Sequence, residues 1–102
     1  MEDDRPYAGI KVIAVTRVLG SPFAAYQLAL HGAEVIQIED PGVGDSARKV
    51  GGSNAKKLVD AGMGPGFLAH GSNKKSLTLN LKRPEGQKIF LQLAKDADVI
   101  IE

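Results

Sequence analysis

The 102-residue chain predicts an α/β fold: a doubly wound parallel sheet with helical crossovers. Three observations carry that reading. Strand-like and helix-like segments follow one another as β-α-β, a long glycine-rich connection, then β-α-β. The first strand-like run, Val12-Ile13-Ala14-Val15, is apolar without alternation, as a strand covered on both faces should be. Helices stand where parallel strands need crossovers, and such crossovers are right-handed.

The first strand is expected over residues 11–16. The loop Arg17-Val18-Leu19-Gly20 follows, with Ser21 as helix N-cap and Pro22 at the first helical position. The helix, residues 23–31, is apolar except at Gln27 and His31, which predicts burial on most sides. Gly32 is placed to end it in a left-handed conformation. The second strand is expected over 34–39, with Val35, Ile36 and Ile38 as its apolar residues and Asp40-Pro41-Gly42 as its stop.

Residues 40–75 form a long connection holding eight of the twelve glycines. A helical turn or two is expected between Asn54 and Ala61, capped by Ser53 and stopped by Gly62. Connections this long are functional or disordered. The third strand, 76–81, alternates and so has one apolar face. Pro84 opens the last helix, 85–95, with Ile89, Phe90, Leu93 and Ala94 as its inward stripe. A fourth strand is expected over 98–101. A sheet cut at the carboxyl end of its last strand reads as incomplete there, the expectation for an amino-terminal piece of a longer protein.

Composition narrows the function. The net charge of +1 gives no global field to attract nucleic acid or a membrane surface. There is no cysteine, which removes disulfides, thiolate catalysis and cysteine-ligated metal. The acidic start resembles neither a secretory signal nor a transit peptide, no apolar run approaches the ~20 residues of a membrane helix, and the expected location is cytoplasmic. His31 and His70 have no partners at metal-ligand spacing, so no metal is expected.

Ligands of doubly wound sheets bind beyond the carboxyl ends of the strands. The strand-to-helix loop ending at Gly20 could cradle a phosphate on helix N–H groups, although the G-x-G-x-x-G fingerprint is absent. Glu39 or Asp40 could meet a sugar hydroxyl. Arg48, in Asp45-Ser46-Ala47-Arg48, could pair with Asp45 or contact a phosphate. Four cations bracket the third strand: Lys74 and Lys75 before it, Lys82 and Arg83 after it. The two pairs lie roughly 20 Å apart along an extended chain, too far for one small anion. Lys82, beyond the carboxyl end, is the functional choice; charge at a sheet edge also serves solubility.

Taken in order, the segments "YAGIKVIAVTRVLGSPFAAYQLALHGAEVIQIEDPGVGDSAR" and "SNKKSLTLNLKRPEGQKIFLQLAKDADVIIE" resemble the family III CoA-transferases, the CaiB–BaiF family. The resemblance implies that residues 1–102 are the amino-terminal part of a Rossmann-like CoA-binding domain, with 40–75 a connection inside it. It implies an enzyme moving coenzyme A from an acyl-CoA to a carboxylic acid acceptor, through an aspartate that lies downstream of this chain. Related members are acyl-CoA racemases, and the parent is expected to form an interlocked homodimer. Carried over by position, the expected CoA contacts are Leu19, Gly20, Asp40, Leu79, Asn80, Leu81 and Lys82. Asp40 stands where some members carry Arg, Asn80 replaces the usual Asp, and Ser21 replaces the usual Gly. No nucleic acid or membrane partner is implied. The competing reading from the residues is an NAD- or nucleotide-binding domain of an oxidoreductase.

Overall fold

The computed structural model describes residues 3–15 and 20–102. Four parallel strands form one sheet in the order β3-β2-β1-β4. They are β1 (Lys11–Ala14), β2 (Glu34–Glu39), β3 (Lys75–Thr78) and β4 (Val99–Ile101). The helices are α1 (Gly20–Leu30), α2 (Lys56–Asp60), α3 (Pro65–Gly71) and α4 (Pro84–Asp96). This is the doubly wound α/β architecture the sequence predicts.

Alternation along the strands divides the core in two. Val12, Ala14 and Val35 pack with Ala25 and Ala29 of α1 on one face. Ile13, Ile38 and Leu79 pack with Phe90, Leu93 and Ala94 of α4 on the other. Each valine or isoleucine buried this fully adds ~1.5–3 kcal/mol of hydrophobic stabilisation. The direction of winding explains the division. β1 to β2 to β3 proceeds one way across the sheet, and α1 and α3, which pack together, cover one face. The step from β3 to β4 crosses back over two strands, and a right-handed crossover then puts α4 on the opposite face.

Several boundaries move. α1 begins at Gly20, so Ser21 and Pro22 lie within its first turn rather than before it. Proline is tolerated there because first-turn N–H groups have no intrahelical acceptor anyway. α1 is also less covered than its composition predicts: Phe23 and Leu30 are exposed, and the small Ala25 and Ala29 make the close approach to the sheet. Its end follows expectation. Gly32 has φ +108°, its N–H donates to the Ala29 carbonyl, and the Ala33 N–H donates to that of Leu28.

β3 ends at Thr78 instead of Leu81, because Asn80 starts a turn: its side-chain oxygen accepts from the Lys82 N–H at 3.1 Å. Ile89, expected to face inward, is exposed on α4. The connection is more ordered than predicted. It contains 3-10 turns at Ser46–Lys49 and Ser53–Ala55, then α2 and α3. Ser53 lies inside its turn, and the cap position belongs to Gly52, which has no side chain to bond. Gly62, at φ +74°, follows α2 as a stop. No helix among the described residues is long and apolar enough to cross a membrane.

Candidate functional site

The centre of the long connection is Glu39, the last residue of β2. Its side chain is only 5 % exposed, yet both oxygens are fully engaged. Arg48 Nε donates to Oε2 at 2.9 Å and Nη2 donates to Oε1 at 2.8 Å. The Ser76 hydroxyl donates to Oε1 at 2.8 Å, and the Asp45 backbone N–H donates to Oε2 at 2.9 Å. The two-point Arg48 contact outweighs the cost of burial and, with Ser76 and Asp45, holds the Glu39 carboxyl down at about 2. The Arg48 guanidinium is correspondingly raised by Glu39.

Arg48 carries the connection with it. Its guanidinium lies 3.9 Å from the Phe67 ring centroid of α3, and Nη1 donates to the Gly62 carbonyl at 3.3 Å. Gly44, at φ +69°, is required here: a Cβ would lie 2.6 Å from Glu39 Oε2. Asp45 accepts from the Ala47 N–H at 2.9 Å and so caps the 3-10 turn that presents Arg48. The two roles considered for these residues from sequence are therefore corrected. Glu39 has no lone pair directed at a sugar, and Arg48 pairs with Glu39 rather than with Asp45 or a phosphate.

The amino-end cations are also structural contacts. Lys75 Nζ lies 3.1 Å from Glu34 at the start of β2. Lys74 Nζ donates to the Pro22 carbonyl of α1 at 3.1 Å, and burial pushes its amino group below the usual lysine range against the opposing pull of Asp45. Lys74, Phe67 and His70 border a cavity of about 160 Å³ between α1, α3 and the sheet. His70 stands edge-on to Phe23 and Tyr26, with ring centroids 5.6 and 6.2 Å away. Among the described residues no group of three or more His, Asp or Glu side chains converges as a metal centre would.

The candidate site is a larger groove, about 700 Å³, across the carboxyl ends of β1, β2 and β3. That volume is within the range of small-molecule sites. Val15, Ile38 and Leu81 supply apolar surface, and Asp40, Asn80 and Lys82 supply polar rim. Thus Asp40, Asn80, Leu81 and Lys82, separated by forty residues of sequence, share one groove. Leu79 packs in the core with Ile13 and Ile38, and its N–H donates to the Glu39 carbonyl. Gly20 opens α1, and Leu19 lies outside the described residues.

The rim turn is tightly held. The Arg83 N–H donates to the Asn80 carbonyl at 3.2 Å, and the Gln87 amide donates to that of Leu81 at 3.0 Å. Gly86 of α4 is buried so close that a Cβ would collide with the Asn80 carbonyl oxygen. Sequence reasoning missed Lys49, which lines the same groove from the end of the first 3-10 turn. Its only signal was a second cation directly after Arg48.

Comparison with known proteins agrees with this fold. The profile of CoA-transferase family III matches residues 7–102. The chain is 42% identical over 97 residues to an acyl-CoA transferase of Fusarium pseudograminearum, covering 92% of this chain and 21% of that protein. It is 39% identical over 106 residues to the human succinyl-CoA:glutarate CoA-transferase, covering 100% of this chain and 22% of that one. Among solved structures, a hypothetical protein of Mycobacterium tuberculosis superposes with a TM-score of 0.82 at 31% identity, over 97% of this chain and 25% of the other. A CaiB/BaiF family protein of Brucella suis superposes with a TM-score of 0.81 at 28% identity, over 96% and 25%. The chain therefore spans about a fifth to a quarter of the proteins it matches. By the profile match and by the fold, the chain belongs to CoA-transferase family III.

Proposed function

We propose that the chain is the amino-terminal part of the CoA-binding domain of an enzyme that transfers coenzyme A from an acyl-CoA to a carboxylic acid. The observation that carries this reading is the groove at the carboxyl ends of β1–β3, where Asp40, Asn80, Leu81 and Lys82 meet. Two relatives are named for such transfers, succinyl-CoA:glutarate and formyl-CoA:oxalate CoA-transferase.

In this reading Lys82 faces a phosphate of the acyl-CoA, and the apolar floor of Val15, Ile38 and Leu81 takes the less polar part of the nucleotide. The turn of Asn80 to Arg83, held on α4, sets the lysine's backbone. A charge-assisted contact to phosphate is among the stronger hydrogen bonds a side chain makes. Chemistry belongs to an aspartate further along the parent chain. Its carboxylate attacks the thioester carbonyl, the C–S bond breaks, and CoA leaves as thiolate from a mixed anhydride. The thiolate then attacks the aspartyl carbonyl, releasing the first acid and leaving a CoA thioester on the enzyme. The acceptor carboxylate repeats these steps in reverse order and departs as the new acyl-CoA.

Three of the aspartates present are engaged in holding the fold. Asp45 caps a turn, Asp60 pairs with Lys56, and Asp98 accepts from the Lys11 N–H. The parent is proposed to act as a homodimer in the cytoplasm. The test is calorimetric titration of the full-length protein with CoA and with NAD, followed by mass measurement after incubation with acyl-CoA. CoA binding and a CoA-sized covalent adduct are expected. NAD binding without a CoA response would overturn the reading in favour of an oxidoreductase domain.

A further inference from the structure

The described residues that border the groove carry charges of both signs. Glu39, Asp40 and Asp45 border it on the acidic side. Glu39 is neutralised by Arg48, and Asp45 is a buried cap with one oxygen on the Ala47 N–H. Asp40 is exposed at the rim beside Lys82.

Among the described residues the groove has one further cation, Lys49. It ends the 3-10 turn Ser46–Lys49, next to Arg48. The Glu39–Arg48 bridge, the Asp45 cap and the Gly44 approach fix that turn, so the lysine projects from an anchored backbone. Both Lys49 and Lys82 are exposed, and neither side chain makes an ion pair among the described residues. They come from different crossovers, the connection after β2 and the turn after β3, and border the same apolar floor. Apolar floor with two cations at the rim is the chemistry of a nucleotide bearing phosphates.

We infer that Lys49 is a second phosphate-facing residue of this groove, acting with Lys82 on the nucleotide end of the acyl-CoA. The inference rests on the CoA reading above and adds a residue to it. Lys49 is exposed and outside the Glu39 network, so Lys49→Gln is expected to fold with an unchanged thermal midpoint.

The experiment measures dissociation constants for CoA, 3′-dephospho-CoA and pantetheine on the full-length wild type, Lys49→Gln, Lys49→Arg and Lys82→Ala. Lys49→Gln should weaken CoA about ten-fold and flatten its salt dependence, with Lys49→Arg restoring most of the affinity. Pantetheine, which has no phosphate, should bind wild type and Lys49→Gln alike. A Lys49→Gln effect that disappears with dephospho-CoA assigns Lys49 to the 3′-phosphate; one that persists assigns it to the diphosphate. If CoA binds, Lys82→Ala weakens it and Lys49→Gln does not, this inference fails while the CoA reading stands. Equal losses for CoA and pantetheine would also overturn it. If the wild type does not bind CoA, the underlying reading fails and this one with it.

Discussion

At the scale of single residues, two cation–anion arrangements do different work. Glu39 and Arg48 are inward and bidentate, and their product is the shape of a loop. The folded Glu39 carboxyl sits at about 2 against an ordinary 4.5. Because the folded value is the lower one, its stabilisation is complete above pH 4.5 and is lost as pH falls toward 2. The difference corresponds to about 3 kcal/mol. Urea unfolding between pH 5 and 2.5 should show that loss in the wild type. Glu39→Gln, weaker at pH 5, should show a correspondingly flatter pH dependence, and parallel curves for the two proteins would refute the assignment. Lys82 is the outward case, exposed at the rim of the groove. In the full-length protein Lys82→Ala should weaken CoA binding about ten- to a hundred-fold, the equivalent of ~1.5–3 kcal/mol for a lost charge-assisted contact. Unchanged affinity would reduce Lys82 to edge charge.

At the scale of elements, the turn between β3 and α4 is where a structural glycine and the proposed site meet. Gly86 lies in the first turn of α4 against the Asn80 backbone, with no room for a methyl group. Gly86→Ala must push the turn away from the helix, at a cost of ~1–3 kcal/mol for overpacking. Both the thermal midpoint and CoA affinity should fall, whereas Gly66→Ala in α3, where a Cβ meets nothing within 4 Å, should leave affinity unchanged. A Gly86→Ala protein with wild-type CoA affinity would separate the turn from the site. The same turn marks the limit of what the sequence discloses. Apolar periodicity finds β1, β2 and α4, because burial of their residues dictates pattern. It overruns β3 by three residues, since Leu79 and Leu81 continue the alternation while Asn80 has already diverted the backbone. It misses α3, a seven-residue helix with glycine inside and at its end, held by Phe67 against Arg48 rather than by its own propensity. The groove is half legible for the same reason. Asp40 and Lys82 follow strands and are found by topology, but Lys49 reaches the groove only because the Glu39–Arg48 bridge folds the connection over it.

At the scale of the whole molecule, the two edges of the sheet are protected unequally. β3, one edge, carries Lys75, and a charge there opposes pairing with a foreign strand. β4, the other, is Val99-Ile100-Ile101, with Val99 38% and Ile100 50% exposed. Its free edge offers backbone donors and acceptors beside apolar side chains, and the net charge of +1 supplies little repulsion between copies. The 102-residue chain on its own should therefore self-associate through β4 as its concentration rises. Ile100→Lys places a charge on that edge at a half-exposed position, and should keep the chain monomeric at concentrations where the wild type forms larger species in sedimentation velocity. Lys75→Ile removes the charge from the opposite edge and should worsen association. If Ile100→Lys associates as readily as the wild type, contacts form elsewhere, and the exposed Phe23 and Leu30 of α1 become the next surface to charge.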